Sequence, residues 1–305
     1  MRSERDFGFG DQAAGLRKLL ARDSAQVITV LGARDGAGAT SLVTGLAALF
    51  AHSGKDVLVL DENLSQDNVA NTLALRPRYD LLHAARGDKT WQDVLLQGMA
   101  GPGVLPVARA MQTLPQLSEV ERERLLAALL GAAAGRDVVL VDAARDGNSV
   151  CAGLTGDESL LLVMNPTASG ITEAYALLKK LAMHNGRQAF DIVVNRVGNE
   201  RDALRAFDNM SAVAQHHLQV RLSYLGYIPV DEKLQRATQL CRPVVEAFPS
   251  ASASMAMREI AQGVLRGGGR AVPAEDRLGS MMQRLVRMAQ PRNVRPRLGS
   301  LAALT

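Results

Sequence analysis

The stretch Leu31–Ser41 reads "LGARDGAGATS". An apolar run, "QVITVLG" (26–32), precedes it, and a run of helical period, "ATSLVTGLAALFAHS" (39–53), follows. A strand, a glycine-rich turn and a helix in this order form the setting of a phosphate-binding loop of the pattern G-x-x-x-x-G-K-[ST]. There the backbone N–H groups and the helix N-terminus supply partial positive charge, and a lysine supplies a full one. Gly36, Gly38, Thr40 and Ser41 occupy positions such a loop needs. However, Ala33 stands at the first glycine position and Ala39 at the lysine position, so a ligand-free Ala/Gly turn would read the same way.

Outward from this loop, short runs rich in Val, Ile and Leu recur: 26–32, 55–62, 136–143, 158–165, 190–197 and 223–229, with a further candidate at 103–108. Continuous apolar runs of this length suit strands buried on both faces. Helix-period segments separate them at 39–53, 119–134, 169–184, 199–217 and 231–241, while 64–100 reads as loops and short helices. The alternation predicts an α/β fold, a mostly parallel twisted sheet wrapped by helices.

The chain has 305 residues, enough for one large α/β domain. It divides into an arm (1–24), the α/β body (25–266), a glycine-rich linker (267–275), a basic amphipathic segment (276–290) and a basic tail (291–305). Residues 276–305 carry six arginines against one acid, a net +5. The whole chain is +4, so the body and arm together sum to −1. A near-neutral body argues against a DNA-binding surface, and a basic tail fits an anionic partner. No secretory signal and no membrane span are expected, and the two cysteines, Cys151 and Cys241, fit a reducing cytoplasm.

The loop resembles the deviant Walker A motif "GKGGVGKT" of the MinD/ParA ATPases, in the SIMIBI class of P-loop proteins. By that resemblance the fold is MinD-like, the ligand ATP with Mg²⁺, and the active form a homodimer. Arg34 replaces the signature lysine that reaches across the dimer, Asp35 replaces a glycine, and Ala39 replaces the loop lysine. Thr40 keeps the Mg²⁺-coordinating hydroxyl and Ser41 the next one. Asp61 matches the first aspartate of a D-x-D pair, but Asn63 stands where the second would position water. Asn can neither accept a proton nor carry the charge. Asp142 ends the Walker B-like strand as a second Mg²⁺-site candidate, and Arg145 is a candidate surrogate for the missing lysine. Asn195 and Pro229 would flank the base. The nucleotide set is therefore Arg34, Gly36, Gly38, Thr40, Ser41, Asp61, Asp142, Asn195 and Pro229, with no confident catalytic residue. Three altered positions, Asp35, Ala39 and Asn63, point to hydrolysis that is lost or very slow and leave nucleotide binding open.

"DQAAGLRKLL" (11–20) resembles the D-Q-A-x-x-L-R motif ahead of the ATPase domain in FlhG (FleN), the MinD-like regulators of flagellar number. That resemblance implies docking on an FlhF-type GTPase through Asp11, Gln12, Leu16 and Arg17, with Gln12 contributing to the partner's GTP hydrolysis. It also implies flagellar basal-body (C-ring) or transcription-regulator partners and peripheral association with the inner membrane, at the cell pole. In 276–290, Leu278, Met281, Met282, Leu285 and Met288 make an apolar stripe with arginines off it, as in a helix lying in a membrane interface. The stripe lacks Phe and Trp, so membrane binding should be weak. Two other functions fit parts of this pattern: a ParA-like DNA-partition switch, and a MinD-like accessory of cellulose or pilus export.

Overall fold

The structure, a computed structural model, describes residues 25–98, 101–144, 149, 151, 159–185 and 187–266. The arm, the linker, the 276–290 segment, the tail and Arg145 lie outside the described residues.

The apolar runs form the strands of one eight-stranded sheet: β1 Gln26–Gly32, β2 Val57–Asp61, β3 Leu96–Gln97, β4 Gly103–Pro106, β5 Val138–Asp142, β6 Ser159–Met164, β7 Ala189–Val197 and β8 Arg221–Pro229. Their order is β3-β4-β2-β5-β1-β6-β7-β8, and every pairing is parallel except β3 with β4. The main helices are α1 Ala39–His52, α2 Leu81–Arg86, α3 Ala108–Thr113, α4 Glu119–Ala133, α5 Ala168–Asn185, α6 Glu200–Leu218, α7 Glu232–Gln239 and α8 Ser252–Arg266. Among the described residues no helix is long and apolar enough to cross a membrane.

Successive side chains of a strand point to opposite faces, so each central strand feeds two cores. Ile28 and Val30 of β1, Val57 and Val59 of β2, and Val138 and Leu140 of β5 pack beneath α1 and α8. Leu31, Leu58, Leu60, Val139 and Val141 pack on the other face, beneath α2, α4, α5 and α6. Helix starts follow local chemistry: Ser118 and Glu121 form a capping box that satisfies the first amides of α4. Helix α8, outside the helix-period segments marked from the sequence, buries Met257, Ile260, Ala261 and Val264. It approaches α1 at Gly45, where an added Cβ would collide with the sulfur of Met257. A small residue is required there.

The runs of β1, β2, β5 and β6 are buried as expected, but β8 is not buried on both faces. It is one edge of the sheet, with β7 alone beside it among the described residues, and a one-residue bulge at Leu225 interrupts that pairing. An edge strand lacks the second neighbour that would cover it.

β1 lies between β5 and β6, so the chain reverses its direction of progress across the sheet there. In open α/β sheets ligands bind at such a switch point, beyond the carboxyl ends of the strands. The 31–41 loop leaves β1 at this place.

Candidate functional site

The loop is fastened at both ends. Ala33 N donates to Val163 O on β6 (2.9 Å), and Ala37 N donates to Arg34 O (3.1 Å), closing a tight turn. Gly36 (φ 71°) and Gly38 (φ 102°) hold left-handed backbone, which explains why these two positions are glycine. Helix α1 starts at Ala39 with no side-chain cap and no acid in its first turn. Its first amides therefore face the loop, as an anion cradle requires. The Ala39 methyl sits beneath the turn, partly buried, and brings no charge to it.

Alternation along the strands sorts the polar groups at their ends. Asp61, Asp142 and Asn195 share parity with Val59, Leu140 and Val193, all on the α1 face. Asp61 and Asp142 are register partners on adjacent strands. The Thr40 hydroxyl donates to Asp142 Oδ2 (2.8 Å) and accepts from Asn63 Nδ2 (3.3 Å). Asp61 accepts from the backbone N–H of Asn63 and of Ala70, both at 3.2 Å. Burial outweighs these bonds and pushes its pKa up to about 6.

Asn195 is buried and committed. Its Nδ2 donates to Ala37 O (2.6 Å), and its Oδ1 accepts from Arg196 N (2.9 Å). A Cβ at Gly38 would collide with that same amide nitrogen. The side chain expected beside a base thus braces the loop from below, and one amide N–H remains for another partner. Pro229 ends β8 opposite Val197 and is partly buried.

Arg34 does not point over the loop. It reaches α5 of its own chain, with Nε 3.5 Å from Glu173 Oε2 and Nη1 donating to Ser169 Oγ at 3.5 Å. Both partners of this ion pair are 43% exposed, which makes it worth about 0–1 kcal/mol. Asp35 is exposed at the loop's outer side. Ser41 lies in the first turn of α1, where its carbonyl accepts from the Thr44 hydroxyl.

Glu62 faces away from Asp61, as alternation requires, and has a job that sequence reasoning missed. Its carboxylate accepts from Ala144 N (3.2 Å), Cys151 N (3.4 Å) and the Ser149 hydroxyl, tying the end of β2 to the segment after β5. The available signal was a second acid directly after Asp61, on the opposite face of the chain. Chemically, the site offers a backbone cradle and a bonded hydroxyl–carboxylate pair. Among the described residues it offers no lysine, and it has no carboxylate at 63 to orient water or take up a proton.

A parallel sheet with its switch at β1, a left-handed glycine loop leading into α1, and a Thr–Asp pair between loop and β5 define a MinD-like P-loop NTPase fold. The family model for cellulose biosynthesis protein BcsQ matches residues 25–265. The antiactivator FleN of Pseudomonas aeruginosa is 35% identical over 240 residues, covering 78% of this chain and 86% of that protein. The flagellum site-determining protein YlxH of Helicobacter pylori is 23% identical over 242 residues, covering 79% and 82%. The structure of septum site-determining protein MinD from Pyrococcus horikoshii, complexed with Mg-ADP, superposes with a TM-score of 0.59 at 22% identity, covering 81% of this chain and 100% of that one. The chain belongs to the MinD/ParA family, in its FlhG/FleN-like group.

Proposed function

We propose that this chain regulates flagellar number or placement as a protein adaptor whose ATPase-type domain no longer turns over ATP. The similarity to the antiactivator FleN over most of both chains supports the flagellar assignment. The site carries the second half of the proposal. By the family resemblance, position 63 would hold a water-positioning carboxylate and position 39 a lysine; this chain has Asn63 and Ala39 there. Losing a charge-assisted contact costs about 1.5–3 kcal/mol, roughly one to two decades of affinity.

What remains could still cradle a nucleotide. Gly36, Gly38 and the first turn of α1 (Thr40, Ser41) would meet phosphates, Arg34 would do so after leaving Glu173, and Asn195 and Pro229 would border the base. ATP is the nucleotide that this family resemblance indicates. The arm would carry the activity toward a partner: Asp11, Gln12, Leu16 and Arg17 engage an FlhF-type GTPase, and Gln12 assists its hydrolysis of GTP. The stripe at 278–288 would hold the protein weakly at the inner membrane surface, from the cytoplasmic side.

The test pairs two assays on the purified full chain. Its own ATP turnover should be at background, and it should raise the GTP turnover of the FlhF-type GTPase from the same genome. Gln12→Ala should abolish that stimulation. Measurable ATP turnover, or stimulation indifferent to Gln12, would defeat the proposal. A second reading, an accessory role in cellulose export, is favoured by the family model over residues 25–265. Deleting the gene separates the two, since flagellar counts change under the first and cellulose output under the second.

A further inference from the structure

A threonine hydroxyl has one proton and two lone pairs. At Thr40 the proton goes to Asp142 Oδ2 at 2.8 Å, and Asn63 Nδ2 donates to the oxygen at 3.3 Å. The orientation of the Asn63 amide is fixed independently. Its Oδ1 accepts from Ser65 N at 2.9 Å, so flipping the amide would set two donors against each other at Ser65. The nitrogen must therefore face Thr40. Asn63 is 7% exposed and Asp142 1% exposed, so water competes poorly for either group. These residues come from the end of β2, the first turn of α1 and the end of β5, so the hydrogen bonds join three elements around the loop.

A hard divalent cation at this place takes Thr40's oxygen, one or two carboxylates and waters, with phosphate oxygens when a nucleotide is bound. Here the positive end of an N–H dipole is aimed at that oxygen. The nearby Asp61 has its two oxygens engaged by the backbone amides of Asn63 and Ala70. Among the described residues, Asp142 alone combines a carboxylate with a bond to the hydroxyl.

We propose that the Asn63–Thr40–Asp142 chain of hydrogen bonds replaces a divalent cation in this protein. It is a cation-independent staple, and Thr40 and Asp142 do not take up Mg²⁺. The inference rests on the reading of the domain as one without ATP turnover, and it adds a physical cause located in one residue, Asn63.

The test uses the purified full chain and Mn²⁺ as a spectroscopic stand-in for Mg²⁺, with and without ADP, each scored against the same solution without protein because ADP itself binds Mn²⁺. By electron paramagnetic resonance the wild type should bind no Mn²⁺ at about 1 mM, the weak end of protein sites for hard cations. Its melting temperature should not respond to Mg²⁺. Asn63→Asp should bind Mn²⁺ at least about tenfold more tightly and melt higher when Mg²⁺ is added, as mass action requires. Thr40→Val should lower the melting temperature equally with and without Mg²⁺; if it fails to fold, Asn63→Asp still decides. Mn²⁺ bound by the wild type, an Asn63→Asp variant as silent as the wild type, or an undisturbed Thr40→Val would each overturn the staple. Mn²⁺ binding without ATP turnover would overturn it while leaving the proposed function standing; ATP turnover would defeat the proposed function itself.

Discussion

Replacing Gly38 by alanine should be among the most damaging single-methyl changes in this chain, and the structure separates its cost into two parts. At φ 102° an L side chain is strained, at about 1–2 kcal/mol. The added Cβ also lands on Asn195 Nδ2, a fully packed group that donates to Ala37 O. Moving that amide breaks the bond and leaves buried polar atoms unpaired, for about 1–3 kcal/mol. Gly38→Ala should thus cost about 2–5 kcal/mol, a large share of the roughly 5–15 kcal/mol stability of a typical domain. Gly36→Ala is the internal control: φ is 71° there and the added Cβ meets nothing within 4 Å, so it should show the strain alone. Asn195→Ala should cost about 1–3 kcal/mol for the lost bond. In the double variant the obstacle has gone, so the collision and the lost bond are not counted twice. Urea unfolding followed by circular dichroism, extrapolated linearly, would give all four values. The double variant should be more stable than the sum of the singles predicts by about 0.5–3 kcal/mol, the range for residues in contact. Additivity, or a Gly38→Ala as mild as Gly36→Ala, would refute the account of Asn195 as the brace of the loop.

Three further outcomes follow from other parts of the molecule. Asp61 has a folded pKa near 6 against an ordinary 3.8. The folded state therefore holds its proton longer than the unfolded one, and this group's contribution to stability falls as pH rises from about 4 to about 6, by about 3 kcal/mol in all. Asp61→Asn should remove that fall; urea midpoints at pH 4.5 and 7 that differ as in the wild type would speak against it. Of the two cysteines, Cys151 is buried with its thiol pKa raised by burial and then by Glu62, whereas Cys241 is exposed. A thiol-reactive dye should label one cysteine per chain in the native state and both in denaturant, and fast labelling of two would contradict the packing. Gly45→Ala should cost about 1–3 kcal/mol through overpacking against fully buried Met257, read as a lowered urea midpoint, and an unchanged midpoint would show that the α1–α8 contact has slack.

The strands that carry the site were legible because they are buried on both faces. Runs such as "VLVLD" and "VVLVD" have few other uses in a soluble chain, and β1, β2 and β5 lie where those runs are. The two-residue β3 was not legible, since it exists only through its pairing with β4. Helix α8 was legible in the sequence, since Met257, Ile260, Ala261 and Val264 recur at helical spacing, but only the tertiary structure shows that this stripe packs on α1 and β8. At the site, the sequence named the loop and the acids at the strand ends, but the partners of Glu62 in the segment after β5 come from strand pairing.

By itself the sequence determined which chemical groups this protein owns at the turn after β1. Glycines stand at 36 and 38, a hydroxyl at 40 and an amide at 63, with no lysine at 39, because composition and chain order fix what a strand–turn–helix unit can present. The tertiary structure alone decided what those groups do to one another. Asn63 meets Thr40 across 23 residues, Thr40 meets Asp142 across 102, and Asn195 meets Ala37 across 158. Such partners are set by strand order and register, which depend on how distant apolar runs pack into one sheet and cannot be read from either run alone.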